Sequence, residues 1–281
     1  ISTVAAAVLT LDGEIYTIGG SAQSAGRTGT LTTWGVVEYN GNPVDISVGY
    51  DHLLVLDKNG DVYGIGNNSY GQLGTANYQN STEHFQKIAS GAVMISAGRR
   101  NTAYVNANGD CYILGDGRWN KFNDSTDSLT TPYKLLSGVT YIESGEHNLV
   151  LVDEAGTAYY AGWRDIGSFV QGGGSHGAGI VLQNKGCTQA SIFFSNMLML
   201  TETGAVYVYG LNEGGAIGSA VTGGASSCLI SSGVKQVAAG FGFSAFLMND
   251  GTVKILGDNS CGQHGNGNTN ETGGFTTVKV K

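Results

Sequence analysis

The sequence predicts an all-β fold, a β-propeller of about six four-stranded blades, with seven as the alternative count. Three observations predict it. A glycine recurs at 13, 60, 109, 156, 204 and 251, in steps of 47, 49, 47, 48 and 47 residues. A second glycine follows each of these anchors by six residues, at 19, 66, 115, 162, 210 and 257. Short apolar and β-branched runs flank every anchor. A period near 48 with several short strands per unit is the signature of propeller blades. An offset kept in six copies is no accident of composition, even with 46 glycines among 281 residues.

Each copy opens as a hairpin. In the second, Leu53-Leu54-Val55-Leu56 leads through Asp57-Lys58-Asn59-Gly60 to Val62-Tyr63-Gly64-Ile65-Gly66. In the sixth, Ala245-Phe246-Leu247-Met248 leads through Asn249-Asp250-Gly251 to Val253-Lys254-Ile255-Leu256-Gly257. The residue before the anchor is Asp12, Asn59, Asn108 or Asp250 in four copies. Asn-Gly and Asp-Gly tolerate the positive φ that tight hairpins require, so Gly13, Gly60, Gly109, Gly156, Gly204 and Gly251 are the expected turn residues. Tyr16, Tyr63, Tyr112, Tyr159 and Tyr207 stand three residues after their anchors, as a half-buried pleated strand favours.

The hairpin is followed in three copies by a glycine loop, Gly66 to Gly74, Gly210 to Gly218 and Gly257 to Gly265. Further short strands follow, such as His84 to Ile88 and Val93 to Ile95. A third glycine stands eleven residues before the anchor at Gly49, Gly98, Gly145 and Gly240; Phe193 and Ser2 replace it in the other two copies. The first copy lacks residues before Ile1 for a leading strand. The tail Phe275 to Lys281 alternates like an edge strand and is expected to close the ring by joining the first blade, which would remove two exposed edges. Residues 1–281 are expected to form one domain.

Composition narrows the function classes. Lys and Arg number 14 against 22 Asp and Glu, a net charge of −8, and no basic run exceeds Arg99-Arg100. Phosphate backbones demand clustered positive charge, which argues against nucleic acid as a partner. No apolar stretch approaches the length of a membrane-spanning helix, and Ile1 to Leu11 does not read as a signal peptide. Cys111, Cys187, Cys228 and Cys261 form no C-x-x-C pair that could aim two thiolates at one metal. The five histidines include no pair at i+3 or i+4. Gly172-Gly173-Gly174 lacks the Lys-Ser/Thr of a phosphate loop, and no G-x-S-x-G elbow is present. No catalytic constellation, metal site or cofactor is expected.

The second copy, from Gly49 through His52 and Gly60-Asp61-Val62-Tyr63 to Gly71-Gln72-Leu73-Gly74, closely resembles the regulator of chromosome condensation repeat. The sixth copy is similar, with Phe243 in place of the His and His264 in place of the Leu. The resemblance implies a propeller of four-stranded blades and gives His52 a structural role. The family's eukaryotic prototype promotes nucleotide exchange on a small GTPase, and bacterial propellers of the fold are secreted or bind proteins.

The informative positions lie one to three residues after the third glycine. They are Tyr50-Asp51, Arg99-Arg100, Glu146-His147, Phe194-Ser195 and Phe241 with Phe243. Propeller geometry gathers such positions on one face, near the central channel. Their residue types vary while the glycines around them stay fixed, and aromatic and Arg side chains dominate binding hot spots. Tyr50, Asp51, Arg99, Arg100, Glu146, His147, Phe241 and Phe243 are therefore the partner-binding candidates, with Trp34, Trp119 and Trp163 behind them. The expected function is a non-enzymatic propeller that binds a protein or surface glycan within a larger assembly. The expected setting is a virion, as a phage tail or capsid accessory protein, or a bacterial surface, with a cytoplasmic location left open. The alternative is an exchange factor-like or protein-inhibitor propeller acting on a partner protein.

Overall fold

The computed structural model describes residues 5–21, 25–116, 128–146, 148–162, 180–184, 186–193, 196–210, 215–216, 218, 227–270 and 272–278. They form six antiparallel sheets, one per repeat. Blade 1 holds β1 (Ala5–Leu9), β2 (Ile15–Gly19) and β3 (Gly35–Val37). Blade 2 holds β4 (Pro43–Val48), β5 (His52–Asp57), β6 (Val62–Gly66) and β7 (Ser81–Ala89). Blade 3 holds β8 (Ala92–Ala97), β9 (Asn101–Asn106), β10 (Cys111–Gly115) and β11 (Leu129–Leu136). Blade 4 holds β12 (Val139–Ser144), β13 (Asn148–Asp153), β14 (Thr157–Gly162) and β15 (Ile180–Asn184). Blade 5 holds β16 (Cys187–Phe193), β17 (Asn196–Thr201), β18 (Val206–Gly210) and β19 (Ser227–Ile230). Blade 6 holds β20 (Val234–Gly240), β21 (Phe243–Met248), β22 (Val253–Gly257) and β23 (Thr272–Val278). In blades 2 to 6 the strands pair in chain order, from the channel outward.

The anchor glycines are turn residues, as the sequence predicts. Gly60 has φ +81, and all six anchors are positive. The Gly60 carbonyl then accepts a 2.9 Å hydrogen bond from Ala92 N of the next blade. The glycine loop is pinned by its Asn. Asn68 Oδ1 accepts from Leu73 N at 2.8 Å and Asn68 Nδ2 donates to Thr75 Oγ1 at 2.6 Å, which holds Leu73 fully buried. Asn259 repeats the device, accepting from His264 N at 2.9 Å.

The second strand of an inner blade is buried along its whole length because both faces meet a neighbour. Leu53 and Val55 pack with Ala5, Ile15 and Val37 of blade 1, whereas Leu54 and Leu56 pack with Ala92, Ile95 and Tyr104 of blade 3. Equivalent clusters fill the seams between blades 3 and 4, 4 and 5, and 5 and 6. Among the described residues no core cluster joins blade 6 to blade 1. Accordingly β1 and β21 are less buried than β5: Val8 is 46% exposed, and Phe246 is buried between the partly exposed Ala245 and Leu247.

This corrects the expected ring closure by the termini. The tail strand β23 pairs with β22, Val253 opposite Val278 and Ile255 opposite Thr276, and so completes its own blade. It takes the place that β7 and β11 take in their blades. Alternation marks an edge strand without saying which sheet it edges. Blade 1 has three strands among the described residues, with β1 nearest the channel.

A belt of hydrogen bonds joins neighbouring blades near the channel. Thirteen residues before the anchors of blades 2 to 5 stand Ser47, Ser96, Glu143 and Ser191. Each side chain accepts from a backbone N–H on the next blade. Ala97 N donates to Ser47 Oγ at 2.9 Å, and Ser144 N to Ser96 Oγ at 2.8 Å. Ile192 N donates to Glu143 Oε1 at 3.0 Å, and Ala239 N to Ser191 Oγ at 2.8 Å. Glu143 also accepts from Ser191 Oγ at 2.6 Å and from Tyr141 OH at 2.9 Å. Removal from water pushes its pKa above the ordinary value, outweighing these bonds. Blade 6 carries Ala238 at the same position, which has no side-chain acceptor.

Two outcomes follow from the belt. Ser96→Ala leaves Ser144 N without its acceptor, and an unsatisfied buried N–H costs about 1–3 kcal/mol; urea unfolding should show a loss of that size, and an unchanged midpoint contradicts the belt. The folded state binds the Glu143 proton more tightly than the unfolded chain does, so its contribution to stability falls as pH rises above about 4.5, the ordinary value. Glu143→Gln keeps an acceptor oxygen and removes that charge. The melting temperature of Glu143→Gln relative to the parent should therefore climb as pH rises from 4.5, and a flat difference contradicts the buried-charge reading.

Candidate functional site

The inner strands run toward one mouth of the channel and end on the third glycine. In blades 2 to 4 that glycine is required by space. A Cβ at Gly98 would overlap Asn101 Oδ1 and lie 2.8 Å from the Gly145 carbonyl oxygen. The close approach brings successive blades together at the mouth, and the residue after each glycine projects there. His52, Asn101, Asn148 and Asn196 occupy the start of the second strand and are all buried. Burial pushes the His52 pKa down to about 4, so the ring is neutral, and its Nε2 lies 3.2 Å from Thr102 Oγ1. His52 is thus a packing residue that bridges blades 2 and 3.

The channel holds a cavity of about 780 Å³. Tyr50, Arg99, Glu146, Phe241 and Phe243 all line it, although Tyr50 and Phe241 are 191 residues apart in sequence. They split into two arcs. On the polar arc, the Arg99 guanidinium lies 4.9 Å from the centre of the Tyr50 ring and pairs with Glu146 of blade 4. On the apolar arc, Phe241 meets Phe193 edge to face with ring centres 6.3 Å apart. Phe243 stands where blades 2 to 5 carry His or Asn, with its ring over Gly240. Phe241 is 62% exposed, an unusual position for a large apolar side chain.

The other candidates lie elsewhere. Arg100 turns from the cavity toward the glycine loop of blade 2, its guanidinium 4.4 Å from the Tyr70 ring centre and 3.5 Å from Asp116 Oδ2. Asp51 does not line the cavity, and its carbonyl accepts from Asn67 N at 2.7 Å. Its carboxyl pKa is raised by burial, against the pull of Arg100 and Arg99. His147, Trp119, Trp163 and the Phe194-Ser195 pair lie outside the described residues. Trp34 is half exposed and does not line the cavity.

Sequence reasoning missed Phe193 and the belt residues Ser47, Ser96, Glu143 and Ser191, all of which line the cavity. Counting thirteen residues back from each anchor would have found the belt. At Phe193 the sequence pattern shows only that the third glycine is replaced. Among the described residues no cluster of three or more His, Cys, Asp or Glu is placed to hold a metal, and no helix is long and apolar enough to cross a membrane. Among the described residues the mouth offers the Arg99–Glu146 ion pair beside Tyr50 on one arc and Phe193, Phe241 and Phe243 on the other, over a channel whose exposed lining is mostly apolar.

Comparison with known proteins agrees with this architecture. The Regulator of chromosome condensation (RCC1) repeat matches residues 44–72, 59–105 and 234–263. The mouse E3 ubiquitin-protein ligase HERC2 is 28% identical over 93% of this chain, which spans 6% of the ligase. The Drosophila melanogaster regulator of chromosome condensation is 34% identical over 44% of this chain and 24% of its own length. The Bos taurus secretion-regulating guanine nucleotide exchange factor is 26% identical over 63% of this chain and 42% of its own length. The chain therefore spans less than half the length of each of these relatives. Among solved structures, Prp20p from Saccharomyces cerevisiae, described with its binding to Gsp1p and histones, superposes with a TM-score of 0.79. That match is 16% identical and covers 100% of this chain and 76% of Prp20p. The period, the hairpin glycines, the six sheets and these matches lead to one conclusion: the described residues form a six-bladed β-propeller, with regulator of chromosome condensation repeats at residues 44–105 and 234–263.

Proposed function

We propose that the chain is a non-enzymatic protein-binding propeller whose partner docks on the channel mouth at Tyr50, Arg99, Glu146, Phe241 and Phe243. One observation carries this reading: five variable side chains from four blades meet at one mouth, within a scaffold whose glycines stay fixed. An exposed Phe beside an aromatic-stacked Arg fits the usual make-up of a hot spot. The polar arc supplies orientation, and the apolar arc supplies area to bury.

For the partner, the reading favours a small GTPase, with the propeller easing release of its nucleotide. The bovine relative bears that activity in its name and aligns over 63% of this chain. The virion or surface setting expected from composition finds no support in the matches above, and surface glycan as a partner has none either.

The test is nucleotide release from a panel of small GTPases loaded with fluorescent GDP. The parent chain should accelerate release from one member. Tyr50→Ala, Arg99→Ala and Phe241→Ala combined should weaken binding of that member by about thirtyfold or more, the loss expected from truncating hot-spot residues. Its melting temperature should stay within the small range of surface substitutions. A panel without any response rejects the GTPase reading. Unchanged affinity in the triple variant rejects the mouth as the docking face.

A further inference from the structure

One member of the belt does more than the belt requires. Ser47, Ser96 and Ser191 are neutral, whereas Glu143 sets a carboxyl at the same height in the channel wall. A serine there would serve the belt as the other three do. Among the described residues three charged side chains line the cavity, Arg99, Glu143 and Glu146. Arg99 and Glu146 pair with each other at the mouth. No Lys or Arg among the described residues pairs with Glu143. A carboxylate held away from water without a cation is costly unless its bonds are complete.

The bonds that Glu143 makes within the described residues leave one place open. A carboxylate has about four acceptor positions, two on each oxygen. Oε1 accepts from Ser191 Oγ at 2.6 Å and from Ile192 N at 3.0 Å. Oε2 accepts from Tyr141 OH at 2.9 Å. Tyr141 is oriented by Gln189 Nε2, which donates to its oxygen at 3.2 Å. Gln189 is in turn clamped to the backbone of Val237 in blade 6 by two bonds of 3.1 Å. Three blades thus hold the carboxyl in position, with one acceptor site on Oε2 to spare.

We propose that the channel is a binding site for a primary ammonium carried on an unbranched apolar stem, with Glu143 as its anchor. The open acceptor position selects the head group. A guanidinium forks onto both oxygens of a carboxylate, and Oε1 is already filled. An ammonium is a compact charge with three donors and needs only one oxygen. Ser96 Oγ and Ser191 Oγ, its neighbours in the belt, each accept one backbone N–H and keep a second lone pair for the other donors, directly or through water.

The walls select the stem. On the side of blades 5 and 6 the cavity is lined by Ile192, Phe193, Phe241 and Phe243. The belt lies three residues below the mouth in each inner strand, roughly 10 Å along the chain, so a stem of several methylenes spans the depth. A cavity of about 780 Å³ is of ordinary size for a small ligand. A free alkylamine and a lysine of a protein seated on the mouth share this chemistry. The site stands without a partner at the mouth, so it survives a failed GTPase panel.

The probe is hexylamine, titrated at neutral pH into the 281-residue chain and followed by calorimetry and backbone amide NMR. Saturable binding should shift the amides of Ile192 and Ser144. Hexanol, the neutral analogue, should bind about tenfold more weakly, the difference between a charge-assisted and a neutral hydrogen bond. Glu143→Gln keeps the acceptor for Ile192 N, and amide shifts away from the channel report that it folds; the two probes should bind it alike. Absence of saturable binding overturns the proposal. Equal affinity of amine and alcohol for the parent also overturns it, leaving an apolar cavity without charge recognition. A preference for the amine that persists in Glu143→Gln overturns Glu143 as the anchor. A capped Gly-Gly-Lys-Gly-Gly peptide separates the sources: tighter binding than hexylamine supports a partner's lysine, and weaker binding supports a free amine.

Discussion

One constraint organises the molecule: the inner strands of blades 2 to 5 each give the next blade a hydrogen-bond acceptor at a fixed height. A propeller seam is a stack of two twisted sheets, and apolar packing alone tolerates sliding between them. The Ser47, Ser96, Glu143 and Ser191 acceptors fix the slide, because each reaches a single backbone N–H on the neighbouring strand. A second tie, from the carbonyl of the anchor glycine to the first residue of the next blade, fixes the far end of the same seam. Two ties per seam leave one arrangement. The leucines and valines of the second strands then fill the space so defined.

The mouth inherits its order from these ties. Tyr50, Arg99, Glu146 and Phe241 each stand three residues beyond the belt position of their own blade. With the belt aligned, those side chains arrive at one height, and neighbours in the ring touch: Arg99 with Tyr50 on one side and with Glu146 on the other. The scaffold sets where a side chain projects, and the residue type sets what it binds. That separation explains how an unvarying framework carries a variable face, as loops on rigid scaffolds do generally.

The glycine period was legible because its causes are local. A hairpin turn needs positive φ, and the approach between blades leaves no space for a Cβ at Gly49 or Gly98. The mouth residues were legible for the converse reason, since they vary where their surroundings do not. The belt was not, because serine is common in this chain and Glu143 disguises the series. The partners of Arg100 were also hidden: Tyr70 lies in the preceding blade, and only the folded ring brings it near. The tail misled because an alternating strand looks the same whichever sheet it joins.

The central claim is that the belt holds the blades in register and stops where its acceptors stop. Native-state hydrogen exchange of the free chain tests it most directly. The amides of Ala97, Ser144, Ile192 and Ala239 should exchange only when the whole chain unfolds, and Ser96→Ala should let Ser144 exchange far faster through local opening. Unchanged protection of Ser144 in Ser96→Ala, or fast exchange at the four bonded amides of the parent, would contradict the account.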